Sequence, residues 1–126
     1  MDLAALEEAF RRDPGSTEAF SALRRNYQTG QRPDALGPLY ERHAGALDEA
    51  RRSAELCWQA SEFFRSDGDE AGEVRTLRKA LALDGAHRGA RERLVELSEA
   101  RESWAELVTL LEQGLEAGFA EPKELI

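Results

Sequence analysis

Residues 70–83 read EAGEVRTLRKALAL, and 34 residues later residues 104–117 read WAELVTLLEQGLEA. Ala71, Val74, Leu77 and Leu81 recur at helical steps in the first stretch, as do Trp104, Leu107, Leu111 and Leu115 in the second. That spacing gathers apolar side chains on one face of an α-helix. Leu77, Ala80 and Leu81 stand at the same mutual spacing as Leu111, Gly114 and Leu115, and Ala60 and Leu94 are also 34 residues apart. Each stretch is therefore an amphipathic helix with one stripe to bury, and the helices recur at a fixed period.

Turn chemistry punctuates the rest of the chain: Asp13-Pro14-Gly15-Ser16, Thr29-Gly30-Gln31-Arg32-Pro33-Asp34, Asp67-Gly68-Asp69, Asp84-Gly85, and Gly118 with Pro122. Glycine and proline interrupt helices, and a neighbouring Ser or Asp accepts the free N–H groups of the next one. These breaks predict about seven helices, over 2–12, 17–28, 34–46, 48–66, 69–83, 87–99 and 103–117, with a further one starting near Pro122.

Composition agrees with an all-α domain. The 126 residues are 41% hydrophobic and 33% charged, with a mean hydropathy of -0.59, a soluble profile rich in helix formers. A net charge of -8 and a pI near 4.8 oppose capture by nucleic acid or anionic membranes, both of which need surplus Lys and Arg. Apolar runs are short, and Met1 is followed by Asp2 rather than a basic-then-apolar segment. The expectation is a soluble, cytoplasmic protein without a spanning helix. Cys57 is a lone cysteine, and with only His43 and His87 beside it there is no zinc-type ligand set; no metal or cofactor is expected.

A 34-residue helix-turn-helix period is that of the tetratricopeptide repeat, whose pattern runs W-x2-L-G-x2-Y, then A-x3-F, then P. Phe20-x2-Leu23-Arg24-x2-Tyr27 resembles the first helix of that pattern. Leu6, Ala9 and Pro14 resemble the end of a second helix, so the chain opens half-way through a unit. Cys57, Ala60, Ser61 and Phe64 occupy first-helix slots and Leu77, Ala80 and Leu81 second-helix slots. Leu94 and Val95, then Leu107, Leu111, Gly114 and Leu115, form the last unit, with Arg91 and Ser98 in place of aromatics. Phe20 and Cys57 are 37 residues apart, which places about three extra residues around Ala44–Leu47, as a longer second helix.

The resemblance implies a right-handed α-solenoid of about three repeats: a half repeat over 1–16, repeats over 17–50, 51–87 and 88–121, and the start of a helix over 122–126. Stacking makes the apolar stripe of each pair continuous with its neighbours. Leu77 and Leu111 are then core positions, each worth about 2–5 kcal/mol on truncation to Ala. Ends that open on a second helix and stop inside another read as those of a segment of a longer array.

In the family the first helices line a concave face. The side chains rotated off their stripes are Glu18, Ser21, Arg25 and Gln28, then Glu55, Trp58, Glu62 and Arg65, then Glu92, Glu96 and Glu99. Ser21, Arg25, Trp58, Glu62, Arg65, Glu92, Glu96 and Glu99 are the candidate partner-binding residues. Trp58 is foremost, since Cys57 holds the stripe and the indole lies about 100 degrees round the helix, and large aromatics anchor interfaces. Packing beside Phe63 is the plain alternative. The lysine and asparagine clamp with which some members hold chaperone tails is absent here. Glu92, Glu96 and Glu99 suit a partner of basic character.

No nucleophile stands in an identifiable relation to His43, no glycine-rich phosphate loop is present, and the carboxylates follow helix faces. Cys57 reads as a packing residue, with Glu55 and Glu62 unfavourable to a thiolate. The expected function is non-catalytic protein recognition, the alternative an architectural or self-associating scaffold segment. RNA binding of the pentatricopeptide kind would need a basic inner surface.

Overall fold

The computed structural model describes residues 2–116, with side chains as far as Gln113. The helices are α1 (Leu3–Arg12), α2 (Thr17–Thr29), α3 (Leu36–Gly45), α4 (Ala50–Ser66), α5 (Glu70–Leu83), α6 (Arg88–Ala100) and α7 (Trp104–Glu116), with a 3-10 turn over Pro33–Ala35 ahead of α3. There is no strand among the described residues. The helix expected near Pro122 lies outside them, as does the side chain of Leu115.

Local chemistry starts these helices. The side chains of Asp2, Ser16, Asp69 and His87 accept from the N–H groups of Ala5, Ala19, Gly72 and Ala90 at 2.8, 3.2, 3.0 and 3.1 Å, each satisfying one free donor of a first turn. Glu49 does the same for Arg51 and Arg52.

Three turns end their helices alike. After α2, α4 and α6 the chain passes through left-handed residues Gln31, Gly68 and Glu102, with φ of 56, 76 and 58°. The N–H groups of Arg32, Asp69 and Ser103 then donate to the carbonyls of Tyr27, Phe64 and Ser98 at 2.9, 2.9 and 2.8 Å. This six-to-one bond caps the orphan carbonyls of a helix end. The turns after α1 and α5 also match, with Ser16 and His87 each donating a backbone N–H at 3.0 Å to the carbonyl of the aspartate three residues before, Asp13 and Asp84.

The turn after α3 breaks the pattern and corrects one expectation. The extra residues do not lengthen α3, which stops at Gly45; they form an added first turn of α4, 17 residues long against 13 in α2 and α6. Glu49 decides this by capping α4 four residues after α3 ends.

Consecutive helices pack against one another. Phe10, Phe20, Leu23, Tyr27, Leu39, Tyr40, Leu56, Cys57, Phe64, Leu77 and Leu94 form one continuous core. Full burial of such a side chain contributes about 1.5–3 kcal/mol. His43 is buried with them, stacked on Phe20 at 4.2 Å, and its Nδ1–H donates to the Pro14 carbonyl at 2.7 Å. It ties α3 to the turn between α1 and α2. The Phe64 ring fills a slot between two helices that meet it with glycine: a Cβ on Gly37 would lie 3.1 Å away and one on Gly72 only 2.7 Å.

Ion pairs stitch alternate helices. Glu41 of α3 accepts from Arg75 and Lys79 of α5, at 2.8 and 2.7 Å, and Arg78 of α5 reaches Glu106 of α7 at 2.7 Å. The Arg75 guanidinium, followed by the Lys79 ammonium, holds the Glu41 carboxyl below its ordinary pKa against the opposing effect of burial. Between α5 and α6, Arg93 pairs with the buried Glu73 at 2.6 Å and Arg101 with Glu70 at 2.9 Å.

The last described helix corrects a second expectation. In α7 the buried leucine is Leu110, while Leu111 is only half-buried. Trp104 and Val108 are 58% and 53% exposed. In α5 the position corresponding to Val108 is Val74, 6% exposed, and that corresponding to Leu111 is Leu77, 0% exposed, while Glu70, which corresponds to Trp104, is itself exposed. No described helix covers Trp104 or Val108 of α7.

Candidate protein-binding surface

Burial of the stripes decides what α2, α4 and α6 turn outward. Phe20, Leu23 and Tyr27 face the core from α2, Leu56, Cys57, Ala60 and Phe64 from α4, and Ala90, Leu94 and Leu97 from α6. Arg25, Glu62, Arg65, Glu92, Glu96 and Glu99 are exposed, and Ser21 and Trp58 are half-buried.

Trp58 and Glu55 of α4 both meet the start of α6. Its ring lies 5.5 Å from that of His87, tilted by 43°, and a Cβ on Gly89 would come within 3.2 Å of the indole. Phe63, the neighbour considered from the sequence, packs instead on Tyr40 at 5.0 Å. Trp58 is thus half-buried, packed against the core and against the start of α6. Its indole N–H has no acceptor among the described residues.

His87 is held on both nitrogens. Nδ1 accepts from the Ala90 N–H at 3.1 Å, which leaves the proton on Nε2, and that nitrogen donates to Glu55 Oε2 at 3.1 Å. The tautomer follows from the cap, because an N–H can only donate. His87 and Gly89 were not among the residues singled out from the sequence. The signal for His87 was its place just after Asp84-Gly85 and three residues before Ala90, where a capping side chain belongs; nothing marked Gly89.

The remaining candidates divide into engaged and open groups. Glu96 accepts from Arg93 at 3.0 Å, and Arg65 lines a shallow cavity of about 320 Å³ with Glu70, Glu73, Arg93 and Leu97. Glu62, Glu92 and Glu99 form no ion pair among the described residues. No hydrogen bond or ion pair joins Ser21 or Arg25 to α4 or α6. A larger hollow of about 540 Å³ lies elsewhere, between α5, α6 and α7, lined by Leu81, Leu94 and Leu110 with Arg78, Arg91 and Glu106.

Cys57 is buried, and desolvation pushes its thiol pKa up. A protonated, enclosed thiol is a poor nucleophile. Among the described residues no three His, Cys, Asp or Glu side chains gather to hold a metal ion, and no helix is long and apolar enough to cross a membrane.

Comparison with protein-family models and with curated proteins finds no match to this chain.

Proposed function

We propose that the chain is a tetratricopeptide-like right-handed α-solenoid whose α2, α4 and α6 faces bind a peptide or helix of a partner protein. The shared turns at Gln31, Gly68 and Glu102, spaced by 37 and 34 residues, support a repeat, and the packing of consecutive helices supports stacking. The proposal includes a non-catalytic role and cytoplasmic residence.

Trp58 carries the binding reading. It is a large, half-buried aromatic in the middle helix of the row, and its indole N–H has no acceptor among the described residues. Such side chains supply interface energy at small entropic cost. Affinity capture from native lysate with the wild-type protein and Trp58→Ala in parallel is the test. A partner should be retained by the first and lost from the second; equal recovery from both would count against the surface.

The open arc of α7, with Trp104 and Val108 exposed, favours a second reading: a scaffold segment that associates with another helix or another copy. Light scattering over a range of concentrations separates the two. Mass rising with concentration, abolished by Val108→Glu, supports association, and a monomer throughout opposes it.

A further inference from the structure

We infer that α7 pairs with α7 of a second copy of the chain, antiparallel, with Trp104 of each lying on Val108 of the other. This rests on the self-associating scaffold reading above and specifies its surface and register.

The outward arc of α7 carries little charge. Trp104, Ala105, Val108, Thr109, Glu112 and Gln113 are exposed there, and Glu112 alone of the six is charged. The exposed residues of α6, by contrast, are Arg88, Glu92, Glu96, Glu99 and Ala100. Trp104 and Val108 stand one turn apart on one face. With Leu83 they are the exposed large hydrophobics among the described residues.

The meeting of α5 with α6 shows what kind of helix this arc refuses. Glu73 and Glu70 of α5 bind Arg93 and Arg101 at 2.6 and 2.9 Å. Thirty-four residues on, their counterparts in α7 are Leu107 and Trp104. A cation-bearing helix like α6 would find no carboxylate at those two places, and covering a guanidinium with apolar side chains is costly. The arc therefore suits an apolar stripe. The stripes of the other helices are turned into the core, which leaves α7 itself as the helix of this chain that offers one.

Size and charge set the direction. A twofold axis level with Glu106 places each Trp104 against Val108 of the other copy, large on small, through the same patch on both. Ala105 and Thr109 beside them are small, which lets the two helix axes come close. The same axis carries the two Glu112 carboxylates to opposite ends, about 18 Å apart along the helices, outside the Debye length of about 8 Å at physiological salt. A parallel pair would set Trp104 on Trp104 and Glu112 beside Glu112, with like charges adjacent.

A single helix pair buries less than about 1,200 Å², the size of transient contacts, so the full chain is followed by sedimentation equilibrium up to about 1 mM. The mass should rise from monomer to dimer. Val108→Glu and, separately, Trp104→Lys should each raise the dissociation constant about 10-fold or more, by placing an unpaired charge in the contact. Both positions are more than half exposed in the single chain, and circular dichroism should show both variants fully helical. Mixed in equal amounts, the two variants should associate to within about 3-fold of wild type. The antiparallel register then sets the introduced lysine against the introduced glutamate, while the native Trp104–Val108 contact survives across the axis. Association that withstands both single changes, or no recovery on mixing, overturns the α7 pairing while self-association stands. A monomer at every concentration, the outcome if residues 117–126 or a different protein cover the arc, overturns both.

Discussion

Gln31 and Glu102 adopt the same left-handed backbone, φ 56° and 58°, at the same point of turns 71 residues apart. Gly68 fills that point in the turn between them. A side chain there costs about 1–2 kcal/mol, offset in part by the greater freedom glycine has when unfolded. Gln31→Gly and Glu102→Gly should each raise stability by about 0.5–1 kcal/mol in urea denaturation. Gly68→Ala, with open space around the new Cβ, should lower it by about 1 kcal/mol through conformation alone. No change at any of the three would contradict the left-handed assignment.

Gly72→Ala acts sterically instead. Its Cβ would sit 2.7 Å from the Phe64 ring, closer than packed atoms approach, and the expected loss is about 1–3 kcal/mol. Combining it with Phe64→Leu should cost less than the sum of the two single changes, since the smaller side chain vacates the contact. Additive losses would mean that the two residues do not meet.

Leu77 and Leu111 should part company on truncation. Leu77 is 0% exposed, and Leu77→Ala is expected to cost about 2–5 kcal/mol. Leu111 is half-buried, and Leu111→Ala should cost only about 1–2 kcal/mol. Equal losses in thermal melts would show that something covers α7 in solution.

The Glu41 cluster predicts an acid dependence. The folded-state pKa of Glu41 is depressed by Arg75 and Lys79, so its contribution is present above the ordinary glutamate range. It is lost as pH falls through the depressed value. Glu41→Gln should therefore be less stable than wild type at neutral pH, by about 1 kcal/mol or less for so open a cluster. The two stabilities should converge under acid. A gap that persists at low pH would assign the effect to packing.

The helices and most of their turns were legible because they depend on neighbours in sequence. The three- and four-residue apolar steps, Ser16 and Asp69 as caps, and Gly68 at its turn act within a few residues. Glu102 was harder to see: a left-handed glutamate has no compositional mark, and only its match to Gly68 reveals it. The location of the extra residues was missed for a related reason. Spacing alone counts them but does not say which helix takes them up, and Glu49 gives them to α4.

Sequence by itself determined an all-helical chain, the spacing of its helices, and most of the buried stripe of α2, α4 and α6, because amphipathic spacing sets the face of a helix without reference to its partner; in α7 it chose Leu111 where Leu110 is buried. Only the tertiary structure decided that Trp58 leans on Gly89 and His87, that Phe64 needs two glycines, and that Trp104 and Val108 remain open. Each of these depends on which helix arrives from a distant part of the chain and how closely it approaches, and no local pattern encodes that distance.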